Sequence, residues 1–264
     1  MSTVNAPHAL TIAGSDSGGE AGIQADLQVF AALGVRGTTA LTCITAQNRS
    51  CVVAIEPCTP RIVRQQILAV GKAYSPAAVK TGMLYSPAII RSVAETLRTF
   101  QRIPLVVDPV LAATSGASLA QPRALTAWKT YLLPLASLVT PNLREATALT
   151  GERIRSPEEM RAAARRLHGE FGCAVLVKGG HLVSSAEAVD LFFDGRNELL
   201  LSAPFRSRVH LHGTGCRLSA AIAAFLARGH DLTRAVELGK QFITDWIAEQ
   251  SERRVARASR QKSS

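Results

Sequence analysis

An α/β fold, with a mainly parallel central sheet and helices on both faces, is predicted by three observations. Short apolar runs alternate with helical patterns along the 264-residue chain. The length suffices for one large core. No internal repeat or linker interrupts the alternation, so one domain over residues 1–264 is expected, with about 1–8 and 250–264 as flexible termini.

The elements follow in order. ALTIAG (9–14) reads as a buried strand, and Ile23, Leu27 and Phe30 mark one face of a helix around 21–33. TTALTCIT (38–45) is rich in β-branched residues and predicts the next strand. A helix over 60–73 leads to the short strand AAVKTG (77–82), and a helix over 87–101 leads to IPLVVD (103–108). ASLVTPN (136–142) is a strand bounded by Pro134 and Pro141. Ser156, Pro157 and Glu159 predict an N-cap, a first-turn proline and a capping-box acid for a helix over 157–171. CAVLVKGG (173–180) is a near-continuous apolar strand. Asp194-Gly195 signals the turn of a hairpin over 188–203. The uncharged run between Arg217 and Arg228 predicts a buried helix.

Composition narrows the function classes. With 47% hydrophobic and 19% charged residues, the chain reads as a soluble globule. No apolar run is long enough to span a bilayer, and no signal peptide is visible. Five cysteines at irregular spacing suit a reducing cytoplasm better than a disulfide framework or a zinc site. The net charge of +10 is inflated by residues 253–264, which read as a frayed basic tail. No nucleic-acid motif accompanies it, so neither nucleic acid nor membrane is expected as a partner.

In parallel sheets ligands gather at the carboxyl ends of the strands. There the predicted strands deliver Ser15-Asp16, Gln47-Asn48, Met83, Asp108, Asn142 with Glu145, and Lys178-Gly179-Gly180, a rim suited to a charged ligand. Gly213-Thr214-Gly215-Cys216 opens the buried helix. Backbone amides at such a start bind anions, the glycines let a phosphate approach, and a thiolate at Cys216 is expected to be stabilised. GSDSGGEAG (14–22) is neither a P-loop nor a dinucleotide fingerprint, and could be a flexible turn or a cover for a small substrate. Asp26 lies on or beside an apolar stripe, where a carboxylate needs a partner. Asn142 and Glu145 could hold hydrated Mg²⁺, or Glu145 could be a first-turn acid. Lys178 could pair with a nucleotide phosphate or be an ordinary strand-end lysine.

LTIAGSDSGGEAGIQADL, TAQN, KTGML, VVDPV, TPNLREA, VKGGH and HGTGC, in this order from about residue 9 to 245, resemble the hydroxymethylpyrimidine/phosphomethylpyrimidine kinases of thiamine biosynthesis. The resemblance implies a ribokinase-like three-layer sandwich and a homodimeric, cytoplasmic enzyme. It would use ATP and Mg²⁺ to phosphorylate 4-amino-5-hydroxymethyl-2-methylpyrimidine and then its monophosphate. It further implies that Gln47 reads the aminopyrimidine edge, while Gly14, Asp26, Met83 and Val110 line the pyrimidine site. Asp108 and Glu145 would organise the metal, with Asn142, Lys178 and Thr214 at ATP. Gly213, Gly215 and Cys216 would form the catalytic turn, with Cys216 beside the attacking hydroxymethyl. Glu20, Arg49, Arg217 and Lys72-Ala73 depart from the family pattern; Arg217 could strengthen the anion pocket or reach solvent. A pyridoxal kinase and a non-catalytic pyrimidine-binding regulator are the alternatives.

Overall fold

A computed structural model describes residues 6–100, 103–113, 115–180, 187–204 and 212–261. Its strands are β1 (His8–Asp16), β2 (Arg36–Gln47), β3 (Val52–Pro57), β4 (Ala78–Thr81), β5 (Leu105–Val107), β6 (Leu138–Val139), β7 (Ala174–Lys178), β8 (Glu187–Phe193) and β9 (Glu198–Pro204). The helices are α1 (Gly22–Ala32), α2 (Pro60–Tyr74), α3 (Pro87–Leu97), α4 (Ala124–Ala127), α5 (Leu143–Thr150), α6 (Pro157–Phe171), α7 (Thr214–Ala227) and α8 (Leu232–Gln261). One nine-stranded sheet has the order β3-β2-β1-β4-β5-β6-β7-β8-β9. The six strands from β2 to β7 pair in parallel, and β3, β8 and β9 add antiparallel edges.

Alternation along the strands builds a core on each face. Leu10, Ile12, Val79, Leu105, Val107, Val139, Val175 and Val177 face a cluster with Ile67, Ile90, Trp128 and Leu167. Ala9, Ala78, Val106, Leu138 and Leu176 face the opposite cluster, with Phe30, Ile222 and Val236. Helices α1, α7 and α8 therefore cover one face and α2 to α6 the other, the three-layer arrangement expected. Each large apolar side chain sealed in these layers contributes about 1.5–3 kcal/mol.

Helices α2, α3 and α6 begin with the same device. Thr59, Ser86 and Ser156 accept hydrogen bonds from the N–H groups of Ile62, Ile89 and Glu159, and a proline opens each first turn. The carboxylate of Glu159 accepts from the N–H of Arg155, one residue before the expected capping-box donor. Helix α3 ends at Leu97, short of the expected 101, and α8 continues to Gln261 through most of the basic stretch. The hairpin β8–β9 turns where Asp194 accepts from the N–H groups of Arg196 and Asn197. Among the described residues, no helix is long and apolar enough to cross a membrane.

Candidate active site

The same alternation that buries valines on one face turns polar residues toward α1 and α7. Thr11, Lys80, Asp108, Thr140 and Lys178 each follow a residue of the α2–α6 core, so their side chains point the other way. They meet under the amino end of α7. The ammonium of Lys178 donates to Asp108 Oδ1 at 2.8 Å. Asp108 also accepts from Thr140 Oγ1 and, on its second oxygen, from Ser219 Oγ of α7, each at 3.3 Å. Burial works against the charge on Asp108, yet Lys178 and Lys80 hold its carboxyl below the ordinary value. Burial pulls Lys178 down, but Asp108 and Glu145 outweigh it and the ammonium stays charged.

Helix α7 starts without a side-chain cap. Gly213 sits at φ +77°, and a Cβ there would lie 2.1 Å from the carbonyl oxygen of Glu20, so only glycine fits. A Cβ at Gly215 would lie 3.2 Å from Lys178 Nζ. The first helical bond of α7 runs from Arg217 N–H to Gly213 C=O at 3.0 Å. The N–H groups of Thr214, Gly215 and Cys216 thus have no acceptor among the described residues. Free amides, a helix dipole and a charged lysine make this an anion cradle.

Cys216 is the third residue of α7, and its side chain is half-buried. Burial pushes its thiol up to about 11; Lys80 and Lys178 pull it down, while Asp108 and Asp26 push it further up. The stabilised thiolate expected from the dipole alone is therefore corrected: the resting group is a neutral thiol.

Asn142 caps α5 by accepting from the N–H groups of Arg144 and Glu145, and Glu145 accepts from the N–H of Asn142 at 2.8 Å. Burial, with Asp108 adding to it, raises the Glu145 carboxyl to about 7 against Lys178 and two backbone N–H groups. The first-turn role of Glu145 is thus real, and it coexists with a position beside Lys178 and Asp108. Among the described residues no three His, Cys, Asp or Glu groups form a metal cage. Two buried carboxylates do fit Mg²⁺, which keeps waters and takes its remaining ligands from phosphates.

On the opposite side of the rim, Gln47 ends β2, and its amide N–H donates to His212 Nε2 at 2.9 Å. Gly14 lies against Cys43 and Met83, whose Sγ and Sδ a Cβ would meet at 2.6 and 3.3 Å. Met83, Cys43 and Leu119 form a small apolar cluster, with Val110 and Tyr85 packed on it. Gly14, Met83 and Val110 are therefore brought together, separate from both cores. Asp26 is not on this bed. It is fully buried, its oxygens 3.0 and 2.8 Å from Lys80 Nζ, and it also accepts from Thr11 Oγ1.

The turn after β1 is held by its own side chains. Asp16 accepts from the N–H groups of Gly18, Glu20 and Ala21 at 2.8–3.0 Å. The carboxylate of Glu20 pairs with Arg49, so two departures from the family pattern answer each other. Arg217 is corrected on both expectations. It neither joins the anion cradle nor reaches solvent, but donates to Gln28 Oε1 at 2.9 Å and lies 4.6 Å over the ring of Trp246. Lys72 and Ala73 are exposed in the last turn of α2. A cleft of about 400 Å³, lined by Glu20, Arg49, His212 and Arg217 among others, adjoins the site at His212.

Sequence reasoning missed Lys80, Ser219, His212 and the organising role of Asp16. A lysine inside the four-residue buried strand Ala78–Thr81 was the available signal for the first.

The family model described as phosphomethylpyrimidine kinase matches residues 16–258. The hydroxymethylpyrimidine/phosphomethylpyrimidine kinase of Rhizobium meliloti is 50% identical over 89% of this chain and 88% of its own. The crystal structure of a phosphomethylpyrimidine kinase from Clostridium difficile is 41% identical, covers 91% of this chain and 99% of its own, and superposes with a TM-score of 0.81. An ADP complex of a Bacillus subtilis pyridoxal kinase is 36% identical, covers 90% of this chain and 91% of its own, and has a TM-score of 0.83. Other relatives are bifunctional thiamine biosynthetic enzymes, of whose length this chain spans about half.

Proposed function

The chain belongs to the phosphomethylpyrimidine kinase family, and we propose that it transfers phosphoryl groups from ATP to 4-amino-5-hydroxymethyl-2-methylpyrimidine and then to the monophosphate, supplying the diphosphate for thiamine biosynthesis. The observation that carries this reading is the free amino end of α7 facing the Lys178–Asp108 pair. Phosphoryl transfer demands positioning and charge stabilisation more than covalent chemistry. The amides of Thr214, Gly215 and Cys216 hold the transferring group, and Lys178, oriented by Asp108, neutralises the nucleotide phosphates near Gly215. Asn142 and Thr214 border the nucleotide. Asp108 and Glu145 would hold Mg²⁺, which when bound offsets the phosphate charge.

The pyrimidine rests on Gly14, Met83 and Val110, and Gln47 reads its edge, steadied by His212. Cys216 meets the hydroxymethyl as a neutral thiol, orienting it rather than waiting as a thiolate base. One domain and a cytoplasmic location are part of the same reading, supported by the single sheet and by five cysteines that are all free. A homodimer formed through the β2–β3 edge would cover Ile44 and Val53, whose residues are 54% and 75% exposed.

A coupled ADP-release assay with hydroxymethylpyrimidine and pyridoxal side by side tests the assignment. Greater kcat/KM with the pyrimidine is expected. Greater kcat/KM with pyridoxal would install the second reading, which the likeness to a pyridoxal kinase favours.

A further inference from the structure

A fully buried ion pair is often no more stabilising than two apolar side chains of the same volume, so its presence beside a reaction centre calls for another reason. Lys80 and Asp26 are such a pair, both 0% exposed. Lys80 sits in register with Thr11 on the neighbouring strand, and that threonine donates to the same carboxylate. From there the lysine side chain climbs toward the ligand rim. Its Nζ reaches the level of Gly82, where a Cβ would lie only 2.9 Å away. Asp108 lies just past the end of the adjacent strand β5 at that height, its N–H bonded to Thr81 C=O at 2.9 Å. Helix α7 packs across β1, β4 and β5 over this spot. Two ammonium groups therefore approach the start of α7, Lys178 from β7 and Lys80 from β4. Only Lys178 has any exposed surface. Burial pulls the Lys80 ammonium down, but Asp26 outweighs it and Lys80 stays charged.

We propose that Lys80 is a positioning residue for phosphoryl transfer: fixed by Asp26 and Thr11, its ammonium lies beneath the α7 amides and supports the charge they receive, without touching substrate. This rests on the kinase reading above. It reassigns Asp26 from the pyrimidine bed to the support of Lys80, and it gives the glycine at Gly82 a purpose, since a side chain there would displace the ammonium.

The double variant Lys80→Met/Asp26→Leu removes both charges and strands neither. It should fold with a melting temperature near the parent's and keep KM for hydroxymethylpyrimidine, while kcat falls roughly tenfold to a hundredfold, below the roughly 10²–10³-fold cost of losing a donor that touches the reacting group. A folded double variant with parental kcat would overturn the proposal. A parent that does not turn over the pyrimidine would instead defeat the kinase reading, and a second readout then decides. Lys80, Lys178, Asp108 and Asp26 are the strongest charges acting on the Cys216 thiol. Lys80 is the strongest of them and the loss of Asp26 offsets its removal only in part, so iodoacetamide at pH 9 should label Cys216 more slowly in the double variant, followed by peptide mass spectrometry. Equal labelling rates would contradict the placement of Lys80.

Discussion

Two glycine-rich turns meet at the rim of the sheet, and their amides have opposite fates. In the turn after β1, the N–H groups of Gly18, Glu20 and Ala21 all point at the carboxylate of Asp16. At the start of α7, those of Thr214, Gly215 and Cys216 have no acceptor among the described residues. The turns also touch, since the Glu20 carbonyl fills the space a side chain at Gly213 would need. Glycine content alone therefore does not mark an anion site. What marks it is which backbone donors remain unspent, and the first turn serves as a rigid buttress for the second.

Substitutions can break or sharpen this contrast. The largest effect is expected from Lys178→Met, which removes the charge beside the free amides and leaves Asp108 without its ammonium partner. In ADP-release kinetics kcat should fall about 10²–10³-fold. Gly213→Ala should come next, because it combines a left-handed φ with a backbone clash, whereas Gly19→Ala has φ +72° and nothing within 4 Å. The first should lose most activity and melt well below the parent. The second should cost only about 1–2 kcal/mol in denaturant titrations and keep its kcat. Equal losses in the two would mean that the turns are interchangeable.

Asp16→Ala should act on stability rather than chemistry. It strands three N–H groups, costing about 1–3 kcal/mol, and kcat should fall less than in Lys178→Met.

A smaller effect of the opposite sign is expected from Glu145→Gln. Its folded carboxyl lies near 7 against an ordinary 4.5. The native state therefore binds the proton more tightly, and the stability this lends is full below pH 4.5 and lost as pH rises through 7. Glutamine keeps the cap without the charge. The variant should melt with the parent at pH 4.5 and above it at pH 8, by about 1–3 kcal/mol, while activity declines. A parent equally stable relative to the variant at both pH values would refute the raised carboxyl. The smallest effect belongs to Glu20→Gln, because the Arg49 partner is largely exposed and such pairs contribute little. Its melting temperature should barely move.

The central strands, the major helices and the rim were legible because burial on two faces writes period 2 and period 3.6 into the apolar residues. Strand β3 was not, since an exposed edge carries little pattern: Val53 and Ala54 both face solvent. Residues 109–135 also escaped. Among the described residues there, the helical turns are short: α4 at Ala124–Ala127, a π-turn at Trp128–Leu132 and a 3₁₀ turn at Leu133–Leu135. At the site, Asp108, Lys178 and Gln47 announced themselves as polar groups after strands. Lys80 did not, because its partner Asp26 is 54 residues away and only the fold brings them together. The thiol of Cys216 was misjudged for a related reason. A helix start is visible in the sequence, but the burial and the two carboxylates that push the thiol up are not.

Backbone NMR is the most direct probe of the unspent amides of α7. The ¹⁵N–¹H resonances of both turns can be followed while a non-hydrolysable ATP analogue and hydroxymethylpyrimidine are added to the full chain. Thr214, Gly215 and Cys216 should shift strongly downfield in the proton dimension as their N–H groups acquire phosphate acceptors. Gly18, Glu20 and Ala21, already bonded to Asp16, should stay nearly where they are. Large shifts in the first turn, with Thr214 to Cys216 unmoved, would contradict the role of the α7 amides as the phosphate cradle.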